Sequence, residues 1–121
     1  MSLKVNTEQK RAGVIAIAPI GSIDTKTYSS LEKEVDAVLT QKPDVIIFDM
    51  QFLDYINSMG VRVLLKTKKQ MKKSDGKVVF TKLQPQIKKV FDILNALPSM
   101  QVFASIEELD RYLDKMQKAS R

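Results

Sequence analysis

Apolar positions along this chain of 121 residues fall into short runs that alternate with stretches of helical period. The segment LKVNTEQ, residues 3–9, predicts a weak strand and GVIAIAPIG, 13–21, a strong one, with a hairpin turn at 11–13. Residues 25–39 predict a helix, because Tyr28, Leu31, Val35 and Val38 recur at i, i+3, i+7 and i+10 and share one face. DVIIFDM, 44–50, places four apolar residues between aspartates, as expected of a strand covered on both sides. The next stretch, 52–57, reads as a loop that leads into a second helix over 58–73, closed by the turn SDG at 74–76.

KVVFT, 77–81, predicts another short strand. Pro85 suits the first turn of a third helix whose face is Ile87, Val90, Phe91 and Leu94. MQVF, 100–103, reads as a last strand. Ser105 and Glu108 form a capping-box pattern for a fourth helix with the stripe Ile106, Leu109, Leu113 and Met116. The order ββαβαβαβα implies an α/β fold with a mixed, mostly parallel sheet of about five strands and four helices. No repeat, linker or low-complexity tract interrupts it, so residues 1–121 read as one domain. In such sheets function gathers beyond the carboxyl ends of the strands. Two segments lie there: GSID, 21–24, and FLDYINSMG, 52–60.

Composition removes several kinds of chemistry. With no cysteine and no histidine there is no thiolate nucleophile, no Ser-His-Asp triad and no Cys- or His-ligated zinc. Asp49 and Asp54 are the nearest approach to a carboxylate pair. Without a further ligand or a base beside them they read as strand-end and loop groups, so no catalytic, metal or cofactor site is expected. No phosphate-binding glycine motif occurs. The longest apolar run, VIAIAPI at 14–20, is too short to span a bilayer, and the N-terminus lacks a signal-peptide core, so a cytoplasmic location is the default.

Charge is unevenly placed. Between Arg62 and Lys89 stand ten basic residues and one acid, Asp75; the other 93 residues carry ten basic and thirteen acidic groups. The segment is either a solvated helix face and loop or a surface complementary to something acidic. Its one aromatic, Phe80, lies in a predicted strand, so direct nucleic-acid binding by stacking is not expected.

The chemistry concentrates at residues 57–60. Asn57 is a good N-cap, which makes Ser58 the first helical residue, and Gly60 allows another backbone or a partner to approach closely. A phosphate on Ser58 would sit at the partly positive helix end, a gain of about 0.3–2 kcal/mol. On local sequence alone, plain capping or helix-start chemistry is the favoured reading of the same serine. Asp24 either caps the helix that follows it or contacts a partner. Tyr55 is either a partner anchor or partly core, and Val61 and Leu65 are either core or the apolar part of an interface.

The chain resembles the STAS-domain family of bacterial anti-sigma factor antagonists. The resemblance rests on GSID (21–24), DVIIFDM (44–50), INSMGVRVLL (56–65), GKVVF (76–80) and IKKVFDILN…F…SIEEL (87–109). The family signature Asp-Ser-Ser-Gly reads here Asn57-Ser58-Met59-Gly60, with the first serine, the family's phosphoacceptor, at Ser58. Asn57 keeps the capping oxygen but loses a charge, and Met59 either enlarges an apolar contact or packs.

The resemblance implies a binding module and not an enzyme. Unphosphorylated, such a protein captures an anti-sigma factor, typically a GHKL-type serine kinase, and so frees the sigma factor. The kinase phosphorylates the serine and a PP2C-type phosphatase reverses the step; ATP and magnesium belong to the kinase, so no cofactor is implied. Asp24, Tyr55, Asn57, Ser58, Met59, Gly60 and Val61 are the expected partner-binding residues. A scaffold or transport-accessory role without phosphorylation is the alternative.

Overall fold

The computed structural model describes residues 2–96 and, beyond them, Arg111 and Lys115; side chains are described through Asp92 and again at those two positions. The first two strands, β1 (Leu3–Arg11) and β2 (Val14–Ile23), form an antiparallel hairpin running from Leu3 opposite Gly21 to Arg11 opposite Val14. Its turn is made possible by Gly13, whose φ of +77° suits glycine and whose added Cβ would strike the Asp44 carboxylate. The Gly13 carbonyl accepts from the backbone N–H groups of Asp44 and Val45, at 2.8 and 3.0 Å. That pair of bonds starts β3 (Val45–Asp49) parallel to β2, with Val14 opposite Val45 and Ile17 opposite Phe48.

On the other side of β3 lies β5 (Lys77–Thr81), also parallel, with Ile46 opposite Val78 and Phe48 opposite Phe80. Between these two in sequence comes β4 (Leu53–Ile56), which runs parallel to β2 farther along, where Gly21 faces Leu53 and Ile23 faces Ile56. The sheet order is therefore β1-β2-β3-β5, with β4 attached to the far end of β2. Three helices complete the described part: α1 (Tyr28–Leu39), α2 (Ser58–Lys73) and α3 (Pro85–Ala96). The expected α/β class and the mostly parallel five-stranded sheet are both found.

The core gathers on one face. Alternate strand residues Ile15, Ile17, Ile46 and Phe48 meet Leu31, Val35 and Val38 of α1, Val63, Leu64 and Met71 of α2, and Ile87 and Val90 of α3. Burying each large apolar side chain contributes about 1.5–3 kcal/mol. Phe80 joins two elements to this core: it stacks on Phe48 with centroids 5.4 Å apart, and Phe91 of α3 meets it edge-on at 5.2 Å.

Three expectations change. The 44–50 strand is not covered equally on both sides, since Val45 and Ile47 are half-buried and their neighbour Val79 is 43% exposed. Residues 53–56 form a strand where a loop was expected. The first helix starts at Tyr28 and not near residue 25, because Asp24 to Thr27 is folded into a turn of its own. The predicted strand at 100–103 lies outside the described residues, as does the fourth helix except for Arg111 and Lys115, both helical; the five strands described include β4.

Candidate functional site

Because β2 and β4 are parallel neighbours that end together, at Ile23 and Ile56, the chain segments leaving them meet at the same end of the sheet. Asn57 joins them. Its backbone N–H donates to the Ile23 carbonyl at 3.0 Å, and its side-chain Nδ2 donates to Thr25 Oγ1 at 3.3 Å. The Oδ1 atom accepts from the N–H groups of Met59 and Gly60, at 3.0 and 3.2 Å. Its carbonyl accepts the first helical bond, from Val61 at 3.0 Å. With extended backbone angles and 4% exposure, Asn57 is the N-cap the sequence predicts, set into the interior of the site.

Gly60 fixes how closely α2 approaches the sheet. A Cβ there would lie 2.5 Å from Ile23 Cγ2 and 2.7 Å from Ile56 Cγ1, closer than any real contact. The glycine is required by packing: the first turn of α2 rests directly on the last residues of β2 and β4. Val61, next along, is 6% exposed and belongs to the core, whereas Leu65, one turn later, is 57% exposed.

Ser58 opens α2 and is half-buried, but its Oγ has less than 1 Å² of accessible area. The residue stands at the helix mouth as predicted, while the hydroxyl itself is turned beneath the surface. Presenting it to another molecule takes a rotation of χ1 between staggered wells. Met59 and Tyr55 beside it are half-buried.

The loop after β2 is held by its own hydrogen bonds. Asp24 Oδ1 accepts from the N–H groups of Lys26 and Thr27 at 2.9 and 3.0 Å. Thr27 Oγ1 donates to the Ser22 carbonyl at 2.8 Å and accepts from Asp24 N–H at 2.8 Å. Half-buried Asp24 thus shapes the entrance to α1, and Thr27, 9% exposed, is the N-cap residue.

Asp24, Tyr55, Asn57, Ser58, Met59, Gly60 and Val61 do converge at one end of the sheet, but in two layers. Asn57, Gly60 and Val61 lie inside; Asp24, Tyr55, Ser58 and Met59 lie partly outside. Sequence reasoning missed Thr25, which it placed in a helix, and Phe52, which is 55% exposed in the turn before β4. It also missed two glutamines that tether that turn and the strand after it: Gln84 Nε2 donates to the Gln51 carbonyl at 2.8 Å, and Gln86 Nε2 to that of Asp54 in β4 at 3.2 Å. The only available signal for Gln86 is its place one residue after a helix-starting proline. Asp49 behaves as a strand-end group, accepting from Gln51 N–H at 3.1 Å. Among the described residues, no helix is long and apolar enough to cross a membrane.

Geometrically, this is a helix N-terminus whose Met59 and Gly60 N–H groups are capped by Asn57 and whose first residue is a serine. A negative charge added to that serine would stand at the partly positive end of the helix. Residues 6–109 match the family model of the STAS domain. BtrV of Bordetella bronchiseptica, whose name assigns it provisionally to the anti-sigma factor antagonists, is 31% identical over 101 residues, covering 84% of this chain and 87% of BtrV. Among solved structures, an anti-sigma factor antagonist from Mycobacterium paratuberculosis matches with a TM-score of 0.69 at 22% identity, covering 99% of this chain and 95% of that one. The unphosphorylated form of the anti-sigma factor antagonist SpoIIAA matches with a TM-score of 0.69 at 19% identity, over 78% of this chain and 84% of that one. The phosphorylated form of the Bacillus protein matches with a TM-score of 0.65, again at 19% identity, over 78% of this chain and 86% of that one. At these identities the solved structures establish the fold, and the family match extends over most of the sequence. The chain belongs to the STAS-domain family.

Proposed function

We propose that this STAS domain is an anti-sigma factor antagonist whose docking is switched off by phosphorylation of Ser58. In the unmodified state it captures an anti-sigma factor that is also a GHKL-type serine kinase, in the cytoplasm, and so releases a sigma factor. That kinase transfers the γ-phosphoryl group of ATP to Ser58 Oγ, and a PP2C-type phosphatase hydrolyses the phosphoserine. The domain contributes the acceptor and the docking surface; it performs no catalysis of its own.

The observation that carries this reading is the position of Ser58 as first residue of α2 under the Asn57 cap. Once χ1 has turned Oγ outward, a phosphate there is favoured by the helix end, so its cost falls on the complex and not on the fold. An uncompensated negative charge buried under a docked partner costs roughly 3–5 kcal/mol. That is about two to three and a half orders of magnitude in affinity. The name of BtrV supports an antagonist role, and the existence of SpoIIAA in both forms supports a phosphate on this fold. Tyr55, Ser58 and Met59 would touch the partner together with the exposed Phe52, while Asn57, Gly60 and Val61 hold them in place from beneath, and Asp24 sets the adjoining loop.

The test is incubation of the purified protein with its cognate serine kinase and ATP, followed by peptide mapping. The phosphate is expected on Ser58, and Ser58→Ala should take up none. Label on another residue, with Ser58 bare, contradicts the proposal.

A further inference from the structure

The basic residues singled out in the sequence prove to be concentrated on the outward face of α2. Six cations, Arg62, Lys66, Lys68, Lys69, Lys72 and Lys73, occupy this helix without one acid, and all six are exposed. Lys66 is bridged to Glu32 of α1 at 3.7 Å. Among the described residues no carboxylate lies within 4.0 Å of the other five. At about 100° per residue, Arg62, Leu65, Lys69 and Lys72 fall on one line, and Ser58 lies at its head. From Arg62 to Lys72 the stripe is about 15 Å long at 1.5 Å per residue. Leu65 is the exposed leucine in its middle, and the opposite side of the helix, Val63, Leu64, Thr67 and Met71, is buried.

We propose that the outer face of α2, from Arg62 to Lys73, docks an acidic protein surface, with Leu65 as its apolar anchor. The inference rests on reading the chain as a protein-binding module and names the chemistry of the partner. Charge complementarity selects an acidic surface. A bilayer is a poor match, because an interfacial helix needs a broad apolar face and that of α2 is already in the core. Nucleic acid is a poorer match, since no aromatic lies on the stripe for bases to stack on and an exposed leucine stands at its centre. The geometry also gives the switch a sign. A phosphate on Ser58 would stand one helical turn from Arg62, cancel that cation and repel an acidic partner along the same line.

The test is a titration of the full-length, isotope-labelled protein at low salt with a glutamate-rich peptide. Parallel titrations use duplex DNA and phosphatidylcholine vesicles containing one-third phosphatidylserine. Amide shifts are expected at Arg62, Leu65, Lys69 and Lys72, and they should disappear as salt is raised. K69E/K72E should weaken peptide binding at least about tenfold, far more than K88E/K89E, which removes the same charge from exposed positions of α3. The proposal is overturned by shifts spread evenly over the protein's lysines, by absence of peptide binding, or by equal losses in the two double variants. Tighter binding of the DNA or the vesicles through the same residues also overturns it. None of these results depends on whether a kinase modifies Ser58, so failure of the stripe and failure of the switch are read separately.

Discussion

Asn57 Nδ2 donates to Thr25 Oγ1 across 3.3 Å, and this bond closes the two loops that leave β2 and β4 into one rim. The same side chain caps α2 through its oxygen. Asn57→Ala removes all three bonds at once, and a lost N-cap costs about 0.5–2 kcal/mol. Urea denaturation should show that loss. Asn57→Asp keeps the two cap bonds with a stronger acceptor at the positive helix end, and the Thr25 hydroxyl can turn to donate. Its stability should stay within about 1 kcal/mol of the starting protein.

Gly60→Ala sets two effects against each other. Alanine favours a helix over glycine by about 1 kcal/mol. The new methyl group, however, would fall 2.5 Å from Ile23 Cγ2 and 2.7 Å from Ile56 Cγ1. Overpacking of this kind costs about 1–3 kcal/mol, and displacing the first turn of α2 moves Ser58 with it. A lower melting temperature is expected, together with poorer phosphorylation of Ser58 by the cognate kinase.

Val61 and Leu65 should separate stability from binding. Val61→Ala opens a cavity in the core and should cost about 2 kcal/mol in denaturant unfolding. Leu65→Ala removes an exposed side chain and should leave stability within about 0.5 kcal/mol. On the proposed docking face it should weaken partner capture at least about tenfold, as truncation of an interface anchor does. Calorimetry of unfolding and of binding on both variants gives the comparison.

Thr27 offers a test of the loop that carries Asp24. Its hydroxyl donates to the Ser22 carbonyl and accepts from Asp24 N–H, both at 2.8 Å, in a nearly buried position. Thr27→Val preserves the shape and leaves both backbone groups without that partner. Each such group costs about 1–3 kcal/mol, and faster amide exchange should be seen at Asp24 and Lys26.

Much of this was visible in the sequence where one physical signal acted alone. The period of Tyr28, Leu31, Val35 and Val38 marked α1's buried face, Pro85 marked the start of α3, and Asn57 before Ser58 marked the start of α2. β4 was hidden because Leu53–Ile56 is four residues long and follows a three-residue jog. Ile56 is buried by the approach of Gly60, which no strand periodicity encodes. The start of α1 was misplaced because Asp24 and Thr27 bond to local backbone in competition with the helix. The inward turn of Ser58 Oγ depends on tertiary packing and so lay outside any local pattern. The unequal fates of Val61 and Leu65 follow from which side of α2 meets the sheet, a fact settled only when the helix is docked.

The most direct test of the central claim is the dissociation constant of the complex with the cognate anti-sigma factor, measured for the protein unmodified and stoichiometrically phosphorylated at Ser58. The account predicts that the phosphate weakens binding by about two to three and a half orders of magnitude while the melting temperature stays the same or rises slightly. Equal affinity of the two forms would contradict it.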